Sequence, residues 1–93
     1  MNIKILTPET VVFDGEVSSV LLLGKNGDFH ILKDHAAIVA SMVGGKVQVF
    51  TGNMDENFAK FFTKEPGKQS VYSFPVKSGV VEFSNNKGII LAE

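Results

Sequence analysis

Short apolar runs broken by Gly, Asn, Asp and Pro set the rhythm of this chain, and within most runs the apolar residues recur at every second position. A period of two turns one face of an extended strand inward and the other outward, and the punctuating residues are those that tolerate tight turns. Asn2 to Leu6 is a predicted strand with Ile3 and Ile5 on one face. Thr7-Pro8-Glu9 turns the chain into a second strand at Val11-Val12-Phe13, and Asp14-Gly15 is expected as a tight-turn pair. Glu16 to Leu23 forms a third strand, ended by the loop Gly24-Lys25-Asn26-Gly27. Asp28 to Leu32 follows, with Phe29 and Ile31 on one side and Asp28 and His30 on the other.

Ala37 to Val43 and Lys46 to Thr51 flank Gly44-Gly45, whose glycines can supply the positive φ of a two-residue hairpin, so the pattern predicts two strands joined by a turn. The alternation fails between Gly52 and Gly67, where Met54, Phe58, Phe61 and Phe62 fall at mixed spacings among charges. An extended hairpin or a short helical turn is expected there, and the three phenylalanines, if exposed together, would form an apolar patch of the kind that marks a partner surface. Strands resume at Val71 to Val76, Val80 to Ser84 and Gly88 to Leu91, with turns at Lys77-Ser78-Gly79 and Asn85-Asn86-Lys87. About nine strands with no crossover helix predict an all-β fold, either a packed pair of antiparallel sheets or a small barrel.

A length of 93 residues supports the expectation of one domain, residues 1–93. The absence of cysteine removes disulfides, thiol nucleophiles and cysteine-ligated metal. With nine basic and ten acidic residues, the net charge of −1 is too small to hold nucleic acid or an anionic membrane non-specifically. Met1 to Leu6 lacks the apolar core and cleavage site of a signal peptide, and runs such as Val20-Leu21-Leu22-Leu23 are far short of the roughly 20 residues of a spanning helix. Any membrane association is expected to go through another protein.

Candidate chemistry is sparse. Asp28, His30, Asp34 and His35 form the densest set of metal-ligating side chains, but a strand puts only Asp28 and His30 on one face. No serine lies in a Gly-x-Ser-x-Gly elbow, and neither Gly45-Lys46-Val47 nor Gly67-Lys68-Gln69 satisfies a phosphate loop. No catalytic residue, metal ligand or cofactor is expected. Val20, Leu21, Leu22 and Leu23 cannot all point inward on one strand, so some apolar surface must face a second layer or a partner.

Several motifs in order carry a family resemblance. Thr7-Pro8-Glu9, Val12-Phe13-Asp14-Gly15-Glu16-Val17 and Gly24-x-x-Gly27-x-Phe29-x-Ile31-Leu32-x-x-His35-Ala36 resemble the N-terminal domain of the ATP synthase epsilon subunit. Val81-Glu82-Phe83-Ser84-Asn85-Asn86-Lys87 and Ile90-Leu91-Ala92-Glu93 are similar to that domain's last hairpin. The resemblance implies a flattened antiparallel β-sandwich of two roughly five-stranded sheets, with no bond chemistry of its own. It implies a central-stalk rotor subunit of a proton- or sodium-translocating ATP synthase on the cytoplasmic face of a bacterial inner membrane. There it would link the gamma subunit to the c-ring and help transmit torque.

Carried over by position, Lys25, Asn26, Gly27 and Asp28 are expected at the c-ring, and Leu21, Leu23, His35 and Ala36 at the gamma subunit. Most family members continue past the position of Leu91-Ala92-Glu93 into a helical hairpin that restrains hydrolysis, so a subunit without that restraint is expected. The stretch from Asn53 to Gln69 is longer than the family's usual hairpin. Two other functions remain open: a free-standing ligand-binding sandwich of carbohydrate type, and a small metal enzyme on Asp28, His30 and His35. Self-association of the isolated chain through an apolar face is a further possibility.

Overall fold

Ile3 and Ile5 are fully buried while Asn2, Lys4 and Leu6 reach the surface, the alternation that makes β1 (Asn2–Leu6) a strand with one core face. The computed structural model describes residues 1–93. After β1 come β2 (Val11–Glu16), β3 (Ser19–Gly24), β4 (Gly27–Leu32), β5 (Ile38–Phe50), α1 (Glu56–Ala59), β6 (Thr63–Lys64), β7 (Val71–Ser84) and β8 (Lys87–Ala92). The hydrogen-bonded order is β2-β1-β8-β7-β5-β3-β4, with β6 on β7. Every pairing is antiparallel except β1 with β8, which run parallel.

The long strands β5 and β7 make this one sheet into two layers. Gly44-Gly45 is not the expected hairpin turn: β5 runs through it, pairing Val43 with Ser78 on one side and Gly45 with Val76 on the other. Lys77-Ser78-Gly79 likewise lies within β7 rather than in a turn. Inward-facing residues of β5 are even-numbered before the glycines (Ala40, Met42) and odd-numbered after them (Val47, Val49). Gly44 and Gly45 have φ of 55° and 136°, and a side chain on Gly45 would collide with the Leu23 carbonyl oxygen, so both glycines are required by the bend. Layer one holds β2, β1, β8, the second half of β7 and the first half of β5. Layer two holds the first half of β7, the second half of β5, β3 and β4, with β6 beside β7. Each layer thus has five strand segments.

Between the layers lies one core of Ile3, Ile5, Val20, Ile31, Val47, Val49, Phe83, Ile90 and their neighbours. Each buried Ile or Val contributes about 1.5–3 kcal/mol through surface withdrawn from water. The Cα trace measures 28 × 27 × 26 Å. Asp14-Gly15 is not a turn either; both residues lie in β2, opposite Lys4 and Ile3. The extra residue of β2 is accommodated by a bulge between Ile5 and Leu6, which lets adjacent Val12 and Phe13 both be buried.

The segment between β5 and β7 contains the helical turn α1, capped by Asp55, whose side chain accepts from the Asn57 N–H. Its phenylalanines are not an exposed patch. Phe58 and Phe62 pack on Phe13 with ring centroids 5.8 Å away in each case, and Phe62 also meets Phe74 at 5.7 Å. They close one side of the core.

Candidate partner-binding surfaces

The β3–β4 hairpin has a six-residue strand on each side, so its two ends stand about 17 Å apart. Lys25 and Asn26 form the tip, with Gly24 paired to Gly27. The tip is fastened to the bend of β5. The Lys25 N–H donates to the carbonyls of Val43 (2.8 Å) and Gly44 (3.1 Å). The Asn26 carboxamide donates from Nδ2 to the Ser41 carbonyl at 3.2 Å and accepts at Oδ1 from the Val43 N–H at 3.3 Å. Asn26 thereby occupies the position of a neighbouring strand along the open edge of β5, where backbone groups would otherwise face solvent. Lys25, Gly27 and Asp28 are exposed beside it.

At the opposite end, Asp34 and Asn86 clasp the β4–β5 connection to the β7–β8 turn. Asn86 Oδ1 accepts from the Asp34 N–H at 2.7 Å, and Asn86 Nδ2 donates to Asp34 Oδ1 at 2.8 Å. Asp34, Asn85 and Asn86 all have positive φ, the region that short polar side chains tolerate best. His35 sits half-buried at this corner, its ring 5.5 Å from Phe29 and 6.2 Å from Phe83, with Nδ1 2.7 Å from the Ala36 carbonyl oxygen. Ala36 is exposed.

The residues expected at one partner are therefore not all on one face. Leu21 and Leu23 stand half-buried on the outer face of layer two, opposite His30 and Asp28 on β4 and Gln48 and Lys46 on β5. The His35 ring instead wedges between inward-facing phenylalanines of the two layers. Asp28 and His30 share the outer face of β4, while Asp34 bonds to Asn86, so these side chains do not converge as a ligand set. His30 Nε2 lies 3.0 Å from the hydroxyl of Ser19.

Two features escaped the sequence pattern. On the outer face of layer two, Glu65 accepts from Lys46 Nζ and Gln48 Nε2, both at 2.8 Å, and from the Ser73 hydroxyl. These hydrogen bonds, led by Lys46, lower its pKa to about 2. They fasten the segment that carries α1 onto β5 and β7. The second feature is the outer face of layer one, where Val11, Leu6, Leu91 and Val80 form a cross-strand row beside Ile89 and Val39. Leu91 is 53% exposed and Val39 71%. Next to this face, Thr7, Pro8, Met42, Val43, Gly79 and Ala92 help line an open groove of about 630 Å³. The continuous apolar run Ile89-Ile90-Leu91 was the available signal: on a strand it must present one face to each side.

Comparison with known proteins gives one consistent result. The family model described as the ATP synthase delta/epsilon chain β-sandwich domain matches residues 1–93. The ATP synthase epsilon chain of Chlorobium limicola is 34% identical over 92 residues, covering 99% of this chain and 88% of that protein. The ATP synthase epsilon chain of Sulfurimonas denitrificans is 30% identical over 93 residues, and the chain spans 60% of its length. Among solved structures, a chain of the Tetrahymena thermophila mitochondrial ATP synthase central stalk and c-ring superposes with a TM-score of 0.68. At 12% identity, over 99% of this chain and 62% of that one, it shows a shared fold.

Proposed function

The chain belongs to the family of ATP synthase delta/epsilon chain β-sandwich domains, and on that basis we propose that it joins the gamma subunit to the c-ring in the central stalk of a rotary ATP synthase. It is a non-catalytic subunit. Its proposed site is the cytoplasmic face of a bacterial inner membrane, reached only through the ring. The observation that carries this reading is the family match over residues 1–93, joined by near-full-length similarity to an epsilon chain.

The physical task of such a part is to pass torque between two partners without yielding. β5 and β7 suit it because each runs unbroken through both layers, so a load on one layer is carried into the other by backbone hydrogen bonds and a close-packed core. The β3–β4 tip presents Lys25, Gly27 and Asp28 to polar loops of the ring, with Asn26 holding the tip in place. Leu21 and Leu23 offer gamma an apolar strip, Ala36 adds an exposed contact at the far corner, and His35 supports that corner from beneath.

The chain has no native cysteine, so single-cysteine variants give an unambiguous test. In the assembled enzyme, cysteine at Asp28 is expected to crosslink to a c subunit and cysteine at Leu21 to gamma. Assembly with crosslinks to neither contradicts the assignment.

A further inference from the structure

The outer face of layer one has a symmetry that a mixed apolar and charged surface need not have. β8 is its central strand, with β1 on one side and β7 on the other. Along one cross-strand row, Leu91 lies between Leu6 and Val80. Along the next, Ile89 lies between Lys4 and Glu82. Equivalent positions on the two sides of β8 are thus apolar with apolar in one row and cation with anion in the other. Strand spacing puts each about 4.8 Å from the central residue.

We propose that the free chain forms a two-fold dimer through this face, with β8 on the axis. A two-fold axis lying between two facing sheets and running along β8 exchanges β1 of one copy with β7 of the other. Leu91 then meets its own counterpart, as does Ile89. Leu6 faces Val80 of the second copy, and Lys4 faces Glu82. Over β1, β8 and β7 such a contact is self-complementary, as a closed isologous interface requires, while on the outer strands Asp14 faces Val39 and Val11 faces Ser41 of the second copy. The sheets would stand about 10 Å apart, a gap that Leu and Ile from both sides fill and Lys and Glu can bridge.

The charges argue for a second copy as the occupant. Glu82 forms no ion pair within the chain, although it is set among Val39, Val80 and Ile89. Lys4 has only a long contact, 4.0 Å, to Asp14 on β2. Each copy therefore supplies the counter-charge that Glu82 of the other lacks, and a second one for Lys4. Lys87, also on β8, opposes its own counterpart at the exposed end of the face and limits affinity. The dimer does not depend on the stalk assignment.

The test is the mass of the purified chain by light scattering from about 1 µM to 1 mM, a range that spans weak to moderate self-association. The mass is expected to rise from 10.1 kDa toward twice that value. Leu91→Glu, on an exposed position, is expected to hold the chain monomeric throughout with an unchanged circular dichroism spectrum. Lys4→Glu and Glu82→Lys should each weaken association about tenfold or more, and the double exchange should restore it to within about threefold. A chain that stays monomeric to the top of the range overturns the proposal. So does a dimer indifferent to Leu91→Glu, or a double exchange no better than either single change.

Discussion

Asn26 at the β3–β4 tip and Val43 at the bend of β5 are joined side chain to backbone, 3.3 Å from Oδ1 to the amide nitrogen, and the same carboxamide reaches the Ser41 carbonyl. One side chain thus ties the tip of layer two to the edge of layer one.

Replacing Asn26 with Ala removes both bonds at a solvent-exposed site, where water can take over part of the work. The expected loss is about 0.5–1.5 kcal/mol in denaturant unfolding, with faster amide exchange at Lys25 and Val43. Asn26→Asp keeps the acceptor and turns the donor into an oxygen facing the Ser41 carbonyl. Its loss is expected to equal or exceed that of Ala, and a fully stable Asp variant would show that the donor bond is immaterial.

Gly45 and Gly27 provide a contrast within the same region. Both have positive φ, 136° and 125°, but a Cβ on Gly45 meets the Leu23 carbonyl whereas one on Gly27 meets nothing. Gly45→Ala is expected to cost more than about 3 kcal/mol or to prevent folding, and Gly27→Ala about 1 kcal/mol. Equal thermal shifts for the two variants would contradict the bend described for β5.

Glu65 should leave a signature in acid. Its folded-state pKa of about 2 lies below the ordinary 4.5, because Lys46, Ser73 and Gln48 all donate to the carboxylate. The stabilisation is therefore complete above about pH 5 and is lost as the pH falls toward 2. Wild type is expected to exceed Glu65→Gln in stability near neutrality, with the difference narrowing between pH 4.5 and 2. A difference that does not change over that interval contradicts the hydrogen-bonded cluster.

Phe62 contacts two aromatic rings, Phe13 and Phe74, and Phe58 contacts only Phe13. Both are half-buried, so Phe62→Ala is expected to cost about 2–3 kcal/mol and Phe58→Ala about 1 kcal/mol less. Thermal unfolding of the two variants orders them.

Strand content was legible in the sequence because the period-two pattern at Ile3 and Ile5, or at Phe29 and Ile31, depends only on local geometry. The bend was not. Gly44-Gly45 offers positive φ to a hairpin and to a bent strand alike, and the choice is made by partners more than 30 residues away: Ser78 and Val76 on β7. The change in inward parity across the glycines, which looks like a turn in the sequence, is the mark of that bend. The exposed apolar face was concealed differently. Val39 and Val43 alternate with Ile38, Ala40 and Met42, so neither face of β5 is distinguished by hydrophobicity alone. Glu65 was invisible because its three donors come from β5 and β7, brought together only by the pairing of those strands. The division of Leu21 and His35 between different faces was hidden for the same reason, since it follows from the His35 ring packing between Phe29 of one layer and Phe83 of the other.

Titration calorimetry of the purified chain against the gamma subunit of the same organism tests the stalk assignment most directly. One-to-one binding, weakened at least about tenfold by Leu21→Glu in a variant that remains folded, is the predicted result. A folded chain that binds neither gamma nor a gamma–ring subcomplex would contradict it.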